Sequence, residues 1–308
     1  MARTAKDYLL LSLRGVGMGA ADVVPGVSGG TIAFITGIYE ELVNSIRSID
    51  ATALGFVAKG RLVAAWKHIN GSFLLALFAG VFAAVLSLAR VLEYLLEVHP
   101  VLVWSFFFGL VLASTYVVSR KVSQWTFWRW TGLVAGAALA FAITSFTPAT
   151  TTDALWFVFL SGALASCAMI LPGISGSFIL LLLGKYSFAL HAVNEKVWTE
   201  LALLAGGALV GIISFSRLLS WLLKSYHDAT VTVLVGFMIG SLNKIWPWKQ
   251  TLETILVEGV EKPLIEKNVW PVLSDAGDRF WAAVLLGLAG MLVILVLELV
   301  LGKKPDGK

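Results

Sequence analysis

The chain has 308 residues, 58% of them hydrophobic and only 14% charged, with a mean hydropathy of +0.86, which excludes a soluble globular domain and points to a bilayer. A net charge of +4 without a block of like charges gives nucleic-acid binding no support. One cysteine, Cys167, cannot close an internal disulfide, and His68, His99, His191 and His227 are scattered without metal-ligand spacing, so neither a metal nor a cofactor is expected.

The opening MARTAKDYLLLSLRGVGMGA is interrupted by Arg14 and lacks a small-residue cleavage site, so it reads as a retained segment and not a removable signal peptide. Residues 8–46 form a hydrophobic region broken halfway by DVVPGVSGGTIAFITG, residues 22–37. Apolar stretches long enough to cross about 30 Å of hydrocarbon follow at 73–96, 101–119 and 130–146. A second interrupted region, 154–193, carries MILPGISGSFILLLLG at 169–184. Further spans are expected at 201–223, 230–245 and 281–301, with 250–279 as the one sizeable extracytoplasmic loop. Broken backbone survives at membrane depth only where protein or a cavity satisfies its freed polar groups. Both interrupted regions therefore read as helical hairpins, re-entrant or nearly spanning.

The two loops are related by an offset of 147, from Pro25 to Pro172, which also pairs Gly26 with Gly173, Ser28 with Ser175, Gly29 with Gly176, Gly37 with Gly184 and Tyr39 with Tyr186. Downstream, LSLARVLEYLL (86–96) aligns with ISFSRLLSWLL (213–223) at an offset of 127, pairing Arg90 with Arg217, Gly80 with Gly207, Gly109 with Gly236 and Ser114 with Ser241. The expected fold is a single transmembrane domain, an all-α integral membrane protein of two repeats, 8–146 and 154–301. Each is a Pro-Gly-interrupted hairpin plus three spans. Because a hairpin returns to its own side, each repeat crosses an odd number of times and the two must be inverted, as in many secondary transporters.

Basic residues collect in cytoplasmic loops. With the N-terminus inside, thirteen lysines and arginines fall on the cytoplasmic side and seven outside, so both termini are expected to be cytoplasmic. Trp125, Trp128 and Trp130 on one side, and Trp246, Trp248 and Trp270 on the other, read as interfacial anchors.

In each loop a proline ends one half-helix, glycines let the chain turn, and Ser28 or Ser175 stands where it can cap the next half-helix. Helix N-termini attract anions, and two inverted copies would aim two of them at a common midplane site. A Pro-Gly kink in a packed helix would explain one copy, but not duplication at matched positions. Candidate phosphate-binding residues are therefore Ser28, Gly29, Gly30 and Thr31 in one loop and Ser175, Gly176 and Ser177 in the other. Arg90, Arg217 and Arg14 join them, as cations inside apolar spans cost about 2.5–3.5 kcal/mol and call for an anion. Snorkelling or pairing with Glu93 would also satisfy Arg90. Asp22, facing Met169 across the repeat, is a candidate proton-coupling carboxylate or a salt-bridge partner of Arg14.

The run GMGAADVVPGVSGGTIAFITGIYEELVNSI (17–46), with its echo ILPGISGSFILLLLGKY (170–186), resembles the PopT family of bacterial polyprenyl-phosphate translocases over essentially the whole chain. The resemblance implies a multi-pass protein of the bacterial cytoplasmic membrane that returns undecaprenyl phosphate, the lipid carrier of cell-wall synthesis, from the outer to the inner leaflet. The loops at 25–30 and 172–177 match the family's motif, whereas the arginines rest on the physical argument alone. Membrane lipids are the other expected partners, with self-association left open.

Two rivals remain. Membrane polyprenyl-pyrophosphate phosphatases carry a Pro-Gly-x-Ser motif continued by Arg-Ser, but here Ser175 is followed by Gly176 and Ser177, and Ser28 by Gly29 and Gly30. Hydrolysis would lack an arginine clamp and metal ligands, so a transporter is expected and not an enzyme. A small-anion channel or exchanger also uses glycine-rich half-helix ends and needs a continuous polar path.

Overall fold

The structure, a computed structural model, describes residues 3–24, 27–149, 151–257, 260–272 and 279–301. The first interrupted region forms α1 (Ala5–Val23), α2 (Gly29–Ile35) and α3 (Tyr39–Arg47). Thr4 starts α1 through a capping box with Asp7; Pro25 and Gly26 lie outside the described residues. Gly37 turns the chain between α2 and α3 at a φ of 74°, a left-handed conformation glycine adopts without a Cβ clash. Next, α4 (Ala51–Ala58) and α5 (Leu62–His68) expose Leu54, Val57, Leu62, Val63 and Trp66 beside Lys59, Arg61 and Lys67. That mixture suits an element lying in a membrane interface.

Long helices follow as α6 (Gly71–Val98), α7 (Pro100–Ser119) and α8 (Phe127–Ser145). The second interrupted region forms α9 (Leu155–Ile170), α10 (Gly176–Leu182) and α11 (Tyr186–Asn194), and is followed by α12 (Trp198–Ser225), α13 (His227–Ser241) and α14 (Phe280–Leu301). Among the described residues five helices, α6, α7, α8, α12 and α14, are long and apolar enough to cross a membrane. The stretch expected to span at 230–245 forms α13, 15 residues long, continued by a turn at 242–245 ahead of Pro247. The all-α expectation also needs one addition, because β1 (Lys249–Val257) and β2 (Val260–Asn268) pair antiparallel as a β-hairpin. The first strand, KQTLETILV, is rich in the β-branched residues that favour strands.

Four helix pairs build the bundle: α1 with α6, α9 with α12, α7 with α14 and α8 with α13. A Cβ on Gly80 would run into the Ser12 carbonyl, and a Cβ on Gly207 into the Phe159 carbonyl, so these crossings require glycine. Gly80 and Gly207 differ by 127, Ser12 and Phe159 by 147. The other two pairs match in the same way, with Gly290 against the Phe106 carbonyl and Gly136 against the Val233 carbonyl. Helices α6 and α12 each run 28 residues and end in the same backbone conformation, at His99 (φ −135°, ψ 51°) and Tyr226 (φ −139°, ψ 49°).

Polar contacts set the directions. Arg129 pairs with Asp228 at 3.0 Å where α8 and α13 start, and Asn243 donates to Thr144 at 3.2 Å where they end. The same parallel arrangement is fixed for α7 and α14 by Arg279–His99 at 2.8 Å and Arg120–Glu298 at 3.3 Å. Arg3 pairs with Glu41, bringing the start of α1 beside α3, and Lys185 reaches the Thr151 carbonyl and Asp153, bringing the end of α10 beside the start of α9. Arg47 donates to Ser220 at 2.9 Å, tying α3 to the end of α12. The core between these helices includes Val43, Phe73, Leu77, Val111, Val118, Met238 and Ile294. One expected anchor is corrected here: Trp248 is only 9% exposed, because it stacks on Phe280 and meets Trp246 edge-on.

Candidate functional site

The two Pro-Gly loops meet inside the bundle. A chain break at membrane depth leaves the first N–H groups of one helix and the last carbonyls of another without partners, and here the first hairpin supplies part of what the second lacks. The Thr31 hydroxyl accepts from the Gly173 N–H at 3.1 Å. Ser28 donates to the Met169 carbonyl at 3.4 Å and Tyr39 to the Ile170 carbonyl at 3.0 Å, so two hydroxyls satisfy the end of α9. Gly30 permits this approach, since a Cβ there would press on the Ile170 carbonyl.

The first loop is self-filled. Asp22, in the last turn of α1, accepts from the Gly29 N–H at 2.7 Å, and Ser28 accepts from the Gly30 N–H at 3.1 Å. A carboxylate thus sits on the positive end of α2, where an external anion would otherwise bind. Asp22 does not pair with Arg14 among the described residues; its partner is the backbone.

The second loop differs. Ser175 stands at the N-cap of α10 without capping it, and its hydroxyl shares a 2.7 Å hydrogen bond with Ser177. Ser175 and Gly176 are buried. Met169 occupies the place that Asp22 takes in the first loop, so among the described residues this helix start has two hydroxyls beside it and no capping carboxylate. Ser28, Gly29, Gly30 and Thr31 are therefore brought close to the second loop, but as partners of Asp22 and of backbone, while Ser175, Gly176 and Ser177 keep the less occupied end.

The arginines lie elsewhere. Arg90 and Arg217 are both exposed, each eight residues before the end of its helix, and neither is brought to the loops. Arg14 is partly buried on α1 near Arg3 and Glu41. Its Nε is buried and has no hydrogen-bond partner among the described residues.

Three features escaped the sequence. Lys121 donates to the Phe34 carbonyl at 2.9 Å and stands over the Phe34 ring, closing the C-terminal end of α2. Asn44 and Arg47 both bond to Ser220, bracing α3 against α12. Lys244 and Lys249 share one oxygen of Glu266 at 3.3 Å each, beneath the β-hairpin. A lysine beside an apolar span end is the only trace of the first and third in the sequence, and it looks there like a topology signal.

Comparison with known proteins bears on this geometry. A family model described as undecaprenyl phosphate translocase-like matches residues 18–262. A curated polyprenyl-phosphate transporter of Vibrio cholerae is 46% identical over 303 residues, covering 97% of this chain and 98% of that protein. The polyprenyl-phosphate transporter of Staphylococcus aureus is 33% identical over 253 residues, 76% of this chain and 85% of its own length. No solved structure matches. With the matched region containing both loops and the interlocking hydroxyls between them, the chain belongs to the undecaprenyl phosphate translocase-like family.

Proposed function

We propose that this chain moves a polyprenyl phosphate, undecaprenyl phosphate in the bacterial cytoplasmic membrane, from the outer to the inner leaflet. The observation that carries the reading is the contact between Thr31 and Gly173, a polar junction of two broken helices inside a largely apolar bundle. Such backbone is tolerated where it lines a substrate path, and relatives similar over 97% and 76% of the chain are named polyprenyl-phosphate transporters. The lipid tail need never leave hydrocarbon, so the protein has only to shelter the charged head.

An inverted-repeat, alternating-access architecture is supported by three facts. Matched glycines make matched crossings. Each hairpin has its two ends held together, as a re-entrant segment would. Arg47–Ser220 puts the first hairpin at the end of α12, whereas the second hairpin leads into its start, so the two hairpins open at opposite ends. We place both termini in the cytoplasm on the excess of basic residues at their end.

In this reading the phosphate binds at Ser175, Gly176 and Ser177, where hydroxyls and an uncapped helix start can donate. Asp22 holds the first loop's equivalent positions, including Gly29 and Gly30, as a resident anion that a proton could neutralise. Arg90 and Arg217, on lipid-facing helix surfaces near opposite ends of the bundle, attract the head from either leaflet, and Arg14 lies on the inner route. Leaflet exchange of a fluorescent short-chain polyprenyl phosphate in liposomes tests this. Exchange above that of empty liposomes, slowed by Ser175→Ala and Arg14→Ala, supports it. Phosphate release from the pyrophosphate form would establish a phosphatase instead, and chloride leak without lipid exchange an anion channel.

A further inference from the structure

A cavity of about 230 Å³ lies between α10, the ends of α8 and α13, and the paired strands. Its charged lining is three lysines, Lys244, Lys249 and Lys267, against one carboxylate, Glu266. The Lys249 side chain is 7% exposed, and both Lys244 and Lys249 depend on the same Glu266 oxygen, at 3.3 Å each. Among the described residues the buried Lys249 ammonium and the less buried Lys244, 18% exposed, share one carboxylate, an excess of positive charge that a low-dielectric site tolerates poorly. Aromatic faces take up part of it: Lys249 lies 4.2 Å from the centroid of Trp104 and Lys244 5.1 Å from that of Phe178.

The cavity lies close to the second loop, since Phe178 on its wall is two residues from Gly176. We propose that this cavity is a binding site for a phosphate monoester, the first resting place of a lipid phosphate head arriving at the membrane face opposite the N-terminus. The identification of that head with the transported lipid rests on the function proposed above.

The test uses the purified full-length protein in detergent micelles, with farnesyl phosphate, inorganic phosphate and uncharged farnesol as probes. Intrinsic tryptophan fluorescence, to which Trp104 contributes, reports binding. Farnesyl phosphate is expected to bind about tenfold more weakly to Lys249→Gln and to Lys244→Gln, with farnesol unaffected. In the wild-type protein, farnesyl phosphate is expected to shield Lys244 and Lys249 from acetic anhydride, read by mass spectrometry, so the inference stands or falls even where a variant does not fold. Competition by inorganic phosphate would name free phosphate as a ligand, and its failure to compete a lipid head; both support a phosphate site. Unchanged affinity in both folded variants, or lysine labelling unaffected by the probe, overturns it. Wild-type leaflet exchange, measured alongside, separates the two ideas: its absence sinks translocation without touching the binding result.

Discussion

The carboxylate of Asp22 accepts a hydrogen bond from the backbone N–H of Gly29 at 2.7 Å, so α1 caps the half-helix that follows its own break. Without Asp22 a buried donor has no acceptor, at a cost of about 1–3 kcal/mol. Asp22→Ala should lower the melting temperature, whereas Asp22→Asn keeps an acceptor and should melt close to the wild type. If Asp22 also carries the coupling proton, the asparagine variant will exchange lipid at a rate indifferent to an imposed pH gradient. Retention of the gradient response by that variant would remove Asp22 from the coupling path.

Ser28 and Ser175 occupy equivalent positions but do different things. Ser28 caps α2 and reaches Met169, so Ser28→Ala should cost about 1 kcal/mol in stability. The Ser175 hydroxyl caps nothing and bonds only to Ser177 among the described residues. Ser175→Ala should therefore leave the melting curve nearly unchanged while slowing lipid exchange. Equal loss of stability in the two variants would show that the second loop is as fully committed to structure as the first.

The close crossings make a matched prediction. Gly80→Ala and Gly207→Ala each drive a methyl group into a backbone carbonyl, of Ser12 and Phe159 respectively, and neither carbonyl can swing away as a flexible side chain would. Both should destabilise by roughly 1–3 kcal/mol, by similar amounts, as measured by thermal melting in the same detergent. Gly55→Ala, with open space around its Cβ position, is the control expected to have little effect.

Much of this architecture was legible because it repeats. A proline and glycines at one offset, and glycines at another, carry a signal that a single copy would not, and the crossings use those same glycines. What remained hidden depended on which groups become neighbours. Nothing local to Asp22 distinguishes a cap for Gly29 from a partner for Arg14; that choice follows from how α1 stops short of α2. Arg90 and Arg217 looked internal because their spans are apolar, yet one face of a 28-residue helix is turned outward, and hydropathy averages over faces. The 15-residue length of α13 is set by the turn before Pro247, which a window across 230–245 smooths away. The β-hairpin and its lysine cavity could not be foreseen, since Glu266 is 17 residues from Lys249 and meets it only through strand pairing.

Lys249 leads to the last prediction. Burial lowers its pKa from 10.5 to about 8, with Glu266 opposing the shift and Lys244 adding to it. The unfolded chain holds this proton more tightly than the folded one, so between about pH 8 and 10.5 the unfolded state binds more protons and stability rises with pH. Below pH 8 the strain of the buried charge is fully present. Melting temperatures of the wild-type protein should accordingly increase from pH 8 to pH 10, relative to Lys249→Gln measured under the same conditions. Phosphate binding should move in the opposite direction, weakening as Lys249 loses its proton, because the charge that destabilises the empty cavity is the one that holds an anion. Parallel melting curves for wild type and variant across that range would mean that Lys249 is not desolvated as its contacts with Trp104 and Glu266 require.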